Sequence, residues 1–238
     1  MKISTLPALL LATAALLMSS CDDEGYCLSG EGDVESRTLA LPALSGVAVS
    51  GDTKVYVSRG NEQRVEVRGQ ANVLDELETD VDNGVWDIEF ERCLRKHEAV
   101  EVYLTVPSLN KASVGGSGTL ELEDVFESRE FDASVSGSGN VLLRLAAETL
   151  TAHISGSGTI RAAGVAERQD INISGSGNYK GFDLGSRVAE VGISGSGETE
   201  VKVEERLDVE ISGSGRVYYV GDPHVSSSIS GSGKVIRK

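Results

Sequence analysis

Apolar and polar residues alternate with a period of two through the second half of the chain. Apolar residues recur just before, three before and two after most copies of a Ser-Gly-Ser-Gly phrase, and the residues between them are mostly polar or charged. The position just before the phrase is occupied by Val135, Ile154, Ile173, Ile193, Ile211 and Ile229. Alternation of this kind places one face of a strand in a core and the other in water, so it predicts β-strands. A helix would need apolar residues three and four apart.

The phrase recurs at a nearly constant period. Val114–Gly118 is a degenerate first copy. The closing glycines of the copies are Gly118, Gly139, Gly158, Gly177, Gly197, Gly215 and Gly233. Because they are spaced 18–21 residues apart, the period is that of a solenoid whose repeats stack on their neighbours. We therefore predict an all-β fold, a parallel β-helix with about 18–21 residues per coil.

Each coil is predicted to contain a strand, a Gly-Ser-Gly corner, a second strand and a variable return such as residues 123–129 or 221–224. Glycine supplies backbone angles that side chains forbid, and serine is small and can hydrogen-bond a nearby backbone group. Stacking in register would align the serines in two rows. Such rows either bind a glycan or a surface, or only shape the corner.

Residues 39–112 lack the phrase but contain short alternating strands, and we interpret them as the irregular start of the solenoid that continues regularly over residues 113–238. Asn83-Gly84 predicts a tight turn between two strands of this region. Trp86 and Phe90 are interpreted as packing residues. The alternative is an exposed aromatic ring that stacks on a glycan.

The first 20 residues have the pattern of an export leader, with a positive start and a short apolar core. The sequence that follows, through Ser19, Ser20 and Cys21, resembles a bacterial lipobox, so we predict lipidation of Cys21; ordinary secretion is the alternative. Residues 21–38 are predicted to form a flexible polar tether. This places the protein in the cell envelope, anchored through Cys21 and assigned to the outer membrane, with its periplasmic or surface face left open.

The net charge limits the classes of partner, and the cysteines predict a covalent link. The formal net charge of −15 argues against a nucleic acid partner. In an oxidising envelope Cys27 and Cys93 can pair, which predicts a disulfide between the tether and the first layers of the solenoid. The alternative is two free thiols.

No chemistry-bearing constellation stands out in the sequence. The histidines His97, His153 and His224 are isolated, so no metal site is predicted. The Gly-Ser-Gly-Lys stretch that ends at Lys234 lacks the first glycine of a phosphate loop. We therefore predict a protein without catalytic residues or cofactor. A carboxylate pair on the rod, as in polysaccharide-processing β-helix enzymes, is the alternative.

The final strand, Lys234–Lys238, carries three positive charges. Charged residues on a terminal strand deter edge-to-edge pairing. The competing interpretation is that this edge docks on another molecule.

The strands around Val47–Gly51 and Val100–Leu109, followed by Gly-Ser-Gly repeats, resemble the head GIN domain family of bacterial envelope proteins over residues 38–238. The resemblance implies a β-helical adhesin without catalytic residues. The resulting hypothesis is a non-enzymatic, lipid-anchored solenoid whose acidic, serine-rich surface binds a glycan or another envelope protein. The alternatives are a carbohydrate-binding or carbohydrate-active β-helix protein and a scaffold in envelope signalling.

Overall fold

The computed structural model of the protein describes residues 27–238. Cys21 and its predicted lipid lie outside this range. The strands are β1 (Leu28–Ser29), β2 (Val34–Leu39), β3 (Gly46–Gly51), β4 (Lys54–Arg59), β5 (Arg64–Gln70), β6 (Val81–Asp82), β7 (Val85–Ile88), β8 (Leu94–Arg95), β9 (Glu101–Val106), β10 (Lys111–Gly116), β11 (Thr119–Leu122), β12 (Phe126–Gly137), β13 (Asn140–Gly156), β14 (Thr159–Gly175), β15 (Asn178–Gly195), β16 (Glu198–Gly213), β17 (Arg216–Val220), β18 (His224–Gly231) and β19 (Lys234–Arg237). One helical turn, α1 (Ala71–Leu74), follows β5.

The repeats wind into the predicted parallel β-helix. Successive coils pair in parallel and in register. The middle glycine of one corner therefore lies beside that of the next, as in the series Gly137, Gly156, Gly175 and Gly195. Seventeen of the strands belong to this one continuous sheet. The fold class predicted from alternation and period is confirmed.

The returns differ from the prediction in the central coils. β13, β14, β15 and β16 run without interruption from one corner to the next, so their returns are strand rather than loop. Apolar residues continue inward there, as Leu145 and Leu150 show by being fully buried. The returns of β13 and β14 pair with each other over nearly their whole length, so their backbone N–H and C=O groups are satisfied without a loop.

The core is built from ladders of identical positions. The ladder before the corner consists of Ile88, Val49, Val114, Val135, Ile154, Ile173, Ile193, Ile211 and Ile229. All but the last are buried, and Ile229 is 41% exposed because its coil is the outermost described one at that end. The ladder includes Val49, so Val49–Gly51 is a copy of the corner that the sequence analysis missed.

The first coils are not stacked in chain order. β3 and β4 lie between two layers, with β7 and β9 on one side and β10 and β11 on the other, all in parallel. The chain therefore completes one coil, lays β7 and β9 beneath it, and then crosses to its opposite side at β10. Residues 39–112 thus share the solenoid core, but their layers do not follow the order of the chain.

Antiparallel strands close the end of the solenoid beside β9. β5 pairs with β9 and β2 pairs with β5, both antiparallel. The Asn83-Gly84 turn joins β6 to β7 as an antiparallel hairpin, and both turn residues have positive φ, 51° and 78°.

The prediction that residues 21–38 form a flexible tether is corrected for the described part of that range. β2 forms six antiparallel pairs with β5, and Asn72 holds the preceding segment by bonding to the Ser29 carbonyl and the Glu31 N–H at 2.8 and 3.0 Å. Local composition does not reveal long-range pairing of this kind, so a paired polar stretch has the same composition as a flexible tether.

We define two outer walls that meet at the corners. Wall A holds the residues before each corner, on β7, β3, β10, the second halves of β12–β16, and β18. Wall B holds the residues after each corner, on β9, β4, β11, the first halves of β13–β16, β17 and β19, and is extended by β5 and β2.

A polar network is buried inside one coil. The fully buried Gln169 accepts a hydrogen bond from the Tyr179 hydroxyl at 2.6 Å and donates one to the Ser186 hydroxyl at 2.8 Å. Burial raises the pKa of Tyr179 far above its ordinary value, so the phenol remains a donor. The ring fits because Gly181 leaves the adjacent core position empty.

Candidate binding surface

The outward residues of wall A form columns because the coils stack in register. The serine column, from the first serine of each phrase, consists of Ser136, Ser155, Ser174, Ser194, Ser212 and Ser230. The mixed column beside it consists of Ser134, His153, Asn172, Gly192, Glu210 and Ser228. Stacked strands repeat about every 4.8 Å, so each column presents polar groups at that spacing.

A shallow groove runs between the serine column and the mixed column. Its volume is about 490 Å³, and its lining includes Ile154 and Ile173, whose side chains belong to the buried core ladder. Gly192 widens the groove because it carries no side chain where its neighbours carry Asn172 and Glu210. The second serine of each phrase lies outside this groove, on the other side of the corner.

A column of carboxylates lies farther from the corner on wall A. Asp170, Glu190 and Asp208 follow one another in register. Arg168 binds Asp170 at 2.9 Å and Glu190 at 2.5 Å, and hydrogen bonding to Asp170 above all raises the pKa of Arg168. Arg206 similarly binds Asp208 at 3.0 Å. The column is therefore an ion-pair ladder along the rim of the surface.

The histidines are separate from one another. His153 lines the groove, His224 begins β18, and His97 places its Nε2 atom 3.8 Å from Asp52. Within residues 27–238, no group of three or more His, Cys, Asp or Glu side chains is arranged to hold a metal ion.

Neither Trp86 nor Phe90 has the exposed position that stacking on a glycan would need. Trp86 is fully buried and donates from its indole N–H to the Glu78 carbonyl at 2.9 Å, and Phe90 packs half-buried against the core. Within residues 27–238, Tyr103 presents an exposed ring, 41% exposed on wall B and stacked on Tyr56. Its outward position follows from the alternation in Glu101–Val106, a signal that was present in the sequence.

The two described cysteines are joined. Cys27 and Cys93 form a disulfide across 66 residues, and the Leu28 N–H donates to the Cys93 carbonyl at 2.7 Å. Beside it, β1 pairs with β8 in parallel. The bond ties the start of the described chain to the layer that contains β7.

The two glycines of each corner have different roles. The middle glycine, such as Gly156, has a φ of 117°, which only glycine adopts readily. The closing glycine, such as Gly158, has ordinary angles, but a Cβ there would lie 2.6 Å from the Gly139 carbonyl oxygen of the previous coil. The closing glycines singled out in the sequence are thus required by close approach, whereas the middle ones supply the unusual backbone angle.

None of the helices among the described residues has the length and hydropathy needed to cross a bilayer. The single helical turn has four residues.

Solved structures with the same fold support this architecture. An adhesin designated as putative from Bacteroides fragilis has a TM-score of 0.82 at 19% identity and covers 89% of this chain and 100% of its own. A putative lipid binding protein from Parabacteroides distasonis has a TM-score of 0.76 at 25% identity, covering 89% and 99%. A putative adhesin from the same organism has a TM-score of 0.73 at 22% identity, covering 89% and 99%. No curated protein matches the chain.

A family profile described as "Putative auto-transporter adhesin, head GIN domain" matches residues 43–223, which confirms the resemblance seen in the sequence. The matched range includes the out-of-order first coils, the corner columns and most of the groove. The chain therefore belongs to the head GIN domain family.

Proposed function

We propose that this protein is a non-enzymatic, lipid-anchored adhesin of the cell envelope that binds an extended polar ligand, a glycan or an envelope protein, along the wall A groove. The observation that carries the proposal is the register of the two columns, which repeats a serine hydroxyl at each coil of the groove and places His153, Asn172 and Glu210 beside it. Family membership and the neighbours designated as adhesins agree with a binding role.

Rigid repetition is what makes such a surface effective. Individual hydroxyl contacts are weak, but contacts made along one ligand add once its first unit is bound. The groove side chains project from paired strands, so little conformational entropy is lost when they bind. The ion-pair ladder of Arg168 and Arg206 with its carboxylates borders the groove and makes its rim charged.

Filling the groove tests this proposal. The double substitution Ser155→Arg and Ser174→Arg places two long side chains in it, and we expect adhesion of protein-coated beads to bacterial or host cells to fall about tenfold, the equivalent of 1.4 kcal/mol. The matched control is Ser157→Arg with Ser176→Arg, which changes the same residue type in the same two coils but outside the groove. Equal adhesion by both double variants would refute the groove as the binding surface.

The proposed anchor has its own test. Replacing Cys21 with Ser removes the thiol that carries the lipid, so we expect the protein to move from the membrane pellet to the soluble fraction after cell fractionation. A single acyl chain binds membranes only marginally, and stable anchoring requires more than one. Undiminished membrane association of Cys21→Ser would rule out lipidation at this residue.

Protease treatment of intact cells that carry the unchanged protein reports which face of the membrane it occupies.

A further inference from the structure

A second cavity lies on wall B, away from the groove. Its volume is about 480 Å³, and it is lined by Ser36, Arg64, Glu66, Arg68, Tyr103 and Thr105. These residues come from β2, β5 and β9, the antiparallel end of the sheet, where Glu66 pairs with Tyr103 and Arg68 pairs with Glu101. Those on β5 and β9 occupy outward positions between buried residues such as Val65, Val67 and Leu104.

One side of the cavity is an aromatic face. The rings of Tyr103 and Tyr56 stack with centroids 5.3 Å apart and planes 18° from parallel. Tyr56 lies on β4, on the opposite side of Tyr103 from β5, and does not line the cavity. The face of Tyr103 that is not covered by Tyr56 is therefore the one that borders the cavity.

The Tyr103 ring is held in place. Its hydroxyl donates to Glu101 Oε2 at 2.9 Å, and this hydrogen bond, more than any other influence, raises the pKa of Tyr103 above its ordinary value. Stacking on Tyr56 fixes the ring plane, and the hydrogen bond fixes its rotation. An aromatic face that is ordered before binding loses little entropy when a ligand stacks on it.

The cavity also contains two guanidinium groups whose bonding capacity is mostly unused. The nearest carboxylate oxygens lie 3.4 Å from Arg64 Nη2 and 3.7 Å from Arg68 Nη1, and these side chains are 68% and 55% exposed. By contrast, Arg216 approaches Glu198 to 2.6 Å. Each guanidinium has five N–H donors in a planar fork suited to a carboxylate. Glu66 and the hydroxyls of Ser36 and Thr105 can bond sugar hydroxyls.

We propose that this cavity binds a pyranose that bears a carboxylate, such as a uronic acid unit of a polysaccharide, with the sugar ring on Tyr103 and the carboxylate on the free N–H donors of Arg64 and Arg68. The chemistry of the lining carries the assignment. A flat aromatic face suits the apolar C–H face of a pyranose, and the guanidinium donors that the long contacts with Glu66 and Glu101 leave free suit a carboxylate. The site is independent of the wall A groove and adds a ligand class to the proposed adhesion.

The test uses the purified full chain and three probes: trigalacturonic acid, the neutral trisaccharide of galactose, and acetate. Titration followed by ligand-observed NMR is expected to show binding of the acidic trisaccharide, with at least about tenfold weaker binding of the neutral one and of acetate. Equal affinity for the neutral trisaccharide, equal affinity for acetate, or no binding of the acidic trisaccharide would each overturn the proposal.

Matched variants locate the site. Tyr103→Ala is expected to weaken binding of trigalacturonic acid at least about tenfold, and Arg68→Ala to weaken it several-fold, whereas Tyr103→Phe keeps the stacking face and most of the affinity. Tyr218→Ala is the control, because Tyr218 occupies the same outward column of wall B at the other end of the sheet. Thermal unfolding checks that each variant is folded. Unchanged binding by Tyr103→Ala would place the site elsewhere.

Failure of this proposal is distinguishable from failure of the proposed function. If Tyr103→Ala adheres to cells normally while the groove variants do not, adhesion depends on wall A alone and the saccharide site has no part in it. Loss of trigalacturonic acid binding in Tyr103→Ala with normal binding in the groove variants supports two separate sites.

Discussion

Replacing Gly156 with alanine is expected to lower the free energy of unfolding by about 4 kcal/mol, as measured by chemical denaturation followed by circular dichroism. Two costs combine. The φ of 117° is strained for any L side chain, and the new Cβ would lie 2.6 Å from the carbonyl oxygen of Gly137 in the previous coil. That oxygen accepts the Ser157 N–H at 2.8 Å, so it cannot move away without weakening the corner.

Two control glycines separate these costs. At Gly51 the φ is 91° but a Cβ would contact nothing within 4 Å, so Gly51→Ala is expected to cost only the backbone strain, about 1–2 kcal/mol. Gly185, in the return of β15, does not have a positive φ, and a Cβ there would contact nothing within 4 Å. Gly185→Ala should therefore change the free energy of unfolding by less than about 0.5 kcal/mol. Equal effects at Gly156 and Gly185 would refute the stacked-corner explanation.

Removing the disulfide is expected to have an effect of similar size. The bond between Cys27 and Cys93 closes a loop across 66 residues, and the chain-entropy relation gives about 4 kcal/mol for a loop of that length. The double variant Cys27→Ser with Cys93→Ser should therefore lower the free energy of unfolding by about this amount. Both cysteines are changed so that the variant does not keep one of them as an unpaired thiol.

Reduction provides the control for the disulfide. Adding reductant to the unchanged protein should reproduce the loss seen in the double variant, and adding it to the double variant should do nothing further. We also expect amide exchange to increase for Leu28, whose N–H donates to the Cys93 carbonyl, before it increases in the central coils. A denaturation curve insensitive to reductant would contradict a stabilising disulfide.

Much of the binding surface could be derived from the repeat. Since side chains alternate across a strand and the coils have nearly equal length, the residue before each corner must face inward and the first serine outward, as Ile154 and Ser155 do. The position of Tyr103 follows from the same rule. The cavity beside it does not, because Arg68 and Glu66 reach it through antiparallel pairing between β5 and β9.

The sequence by itself determined the fold class, the spacing of the coils and the inward face of each strand, because those follow from local alternation and from corner glycines repeated at a short period. Only the tertiary structure decided the order of the first coils, the antiparallel end formed by β2 and β5, and the course of the central returns. These depend on which strand edges meet across long stretches of chain. The energy of such pairing depends on two distant segments together, so the sequence of neither segment alone carries a periodic pattern that predicts it.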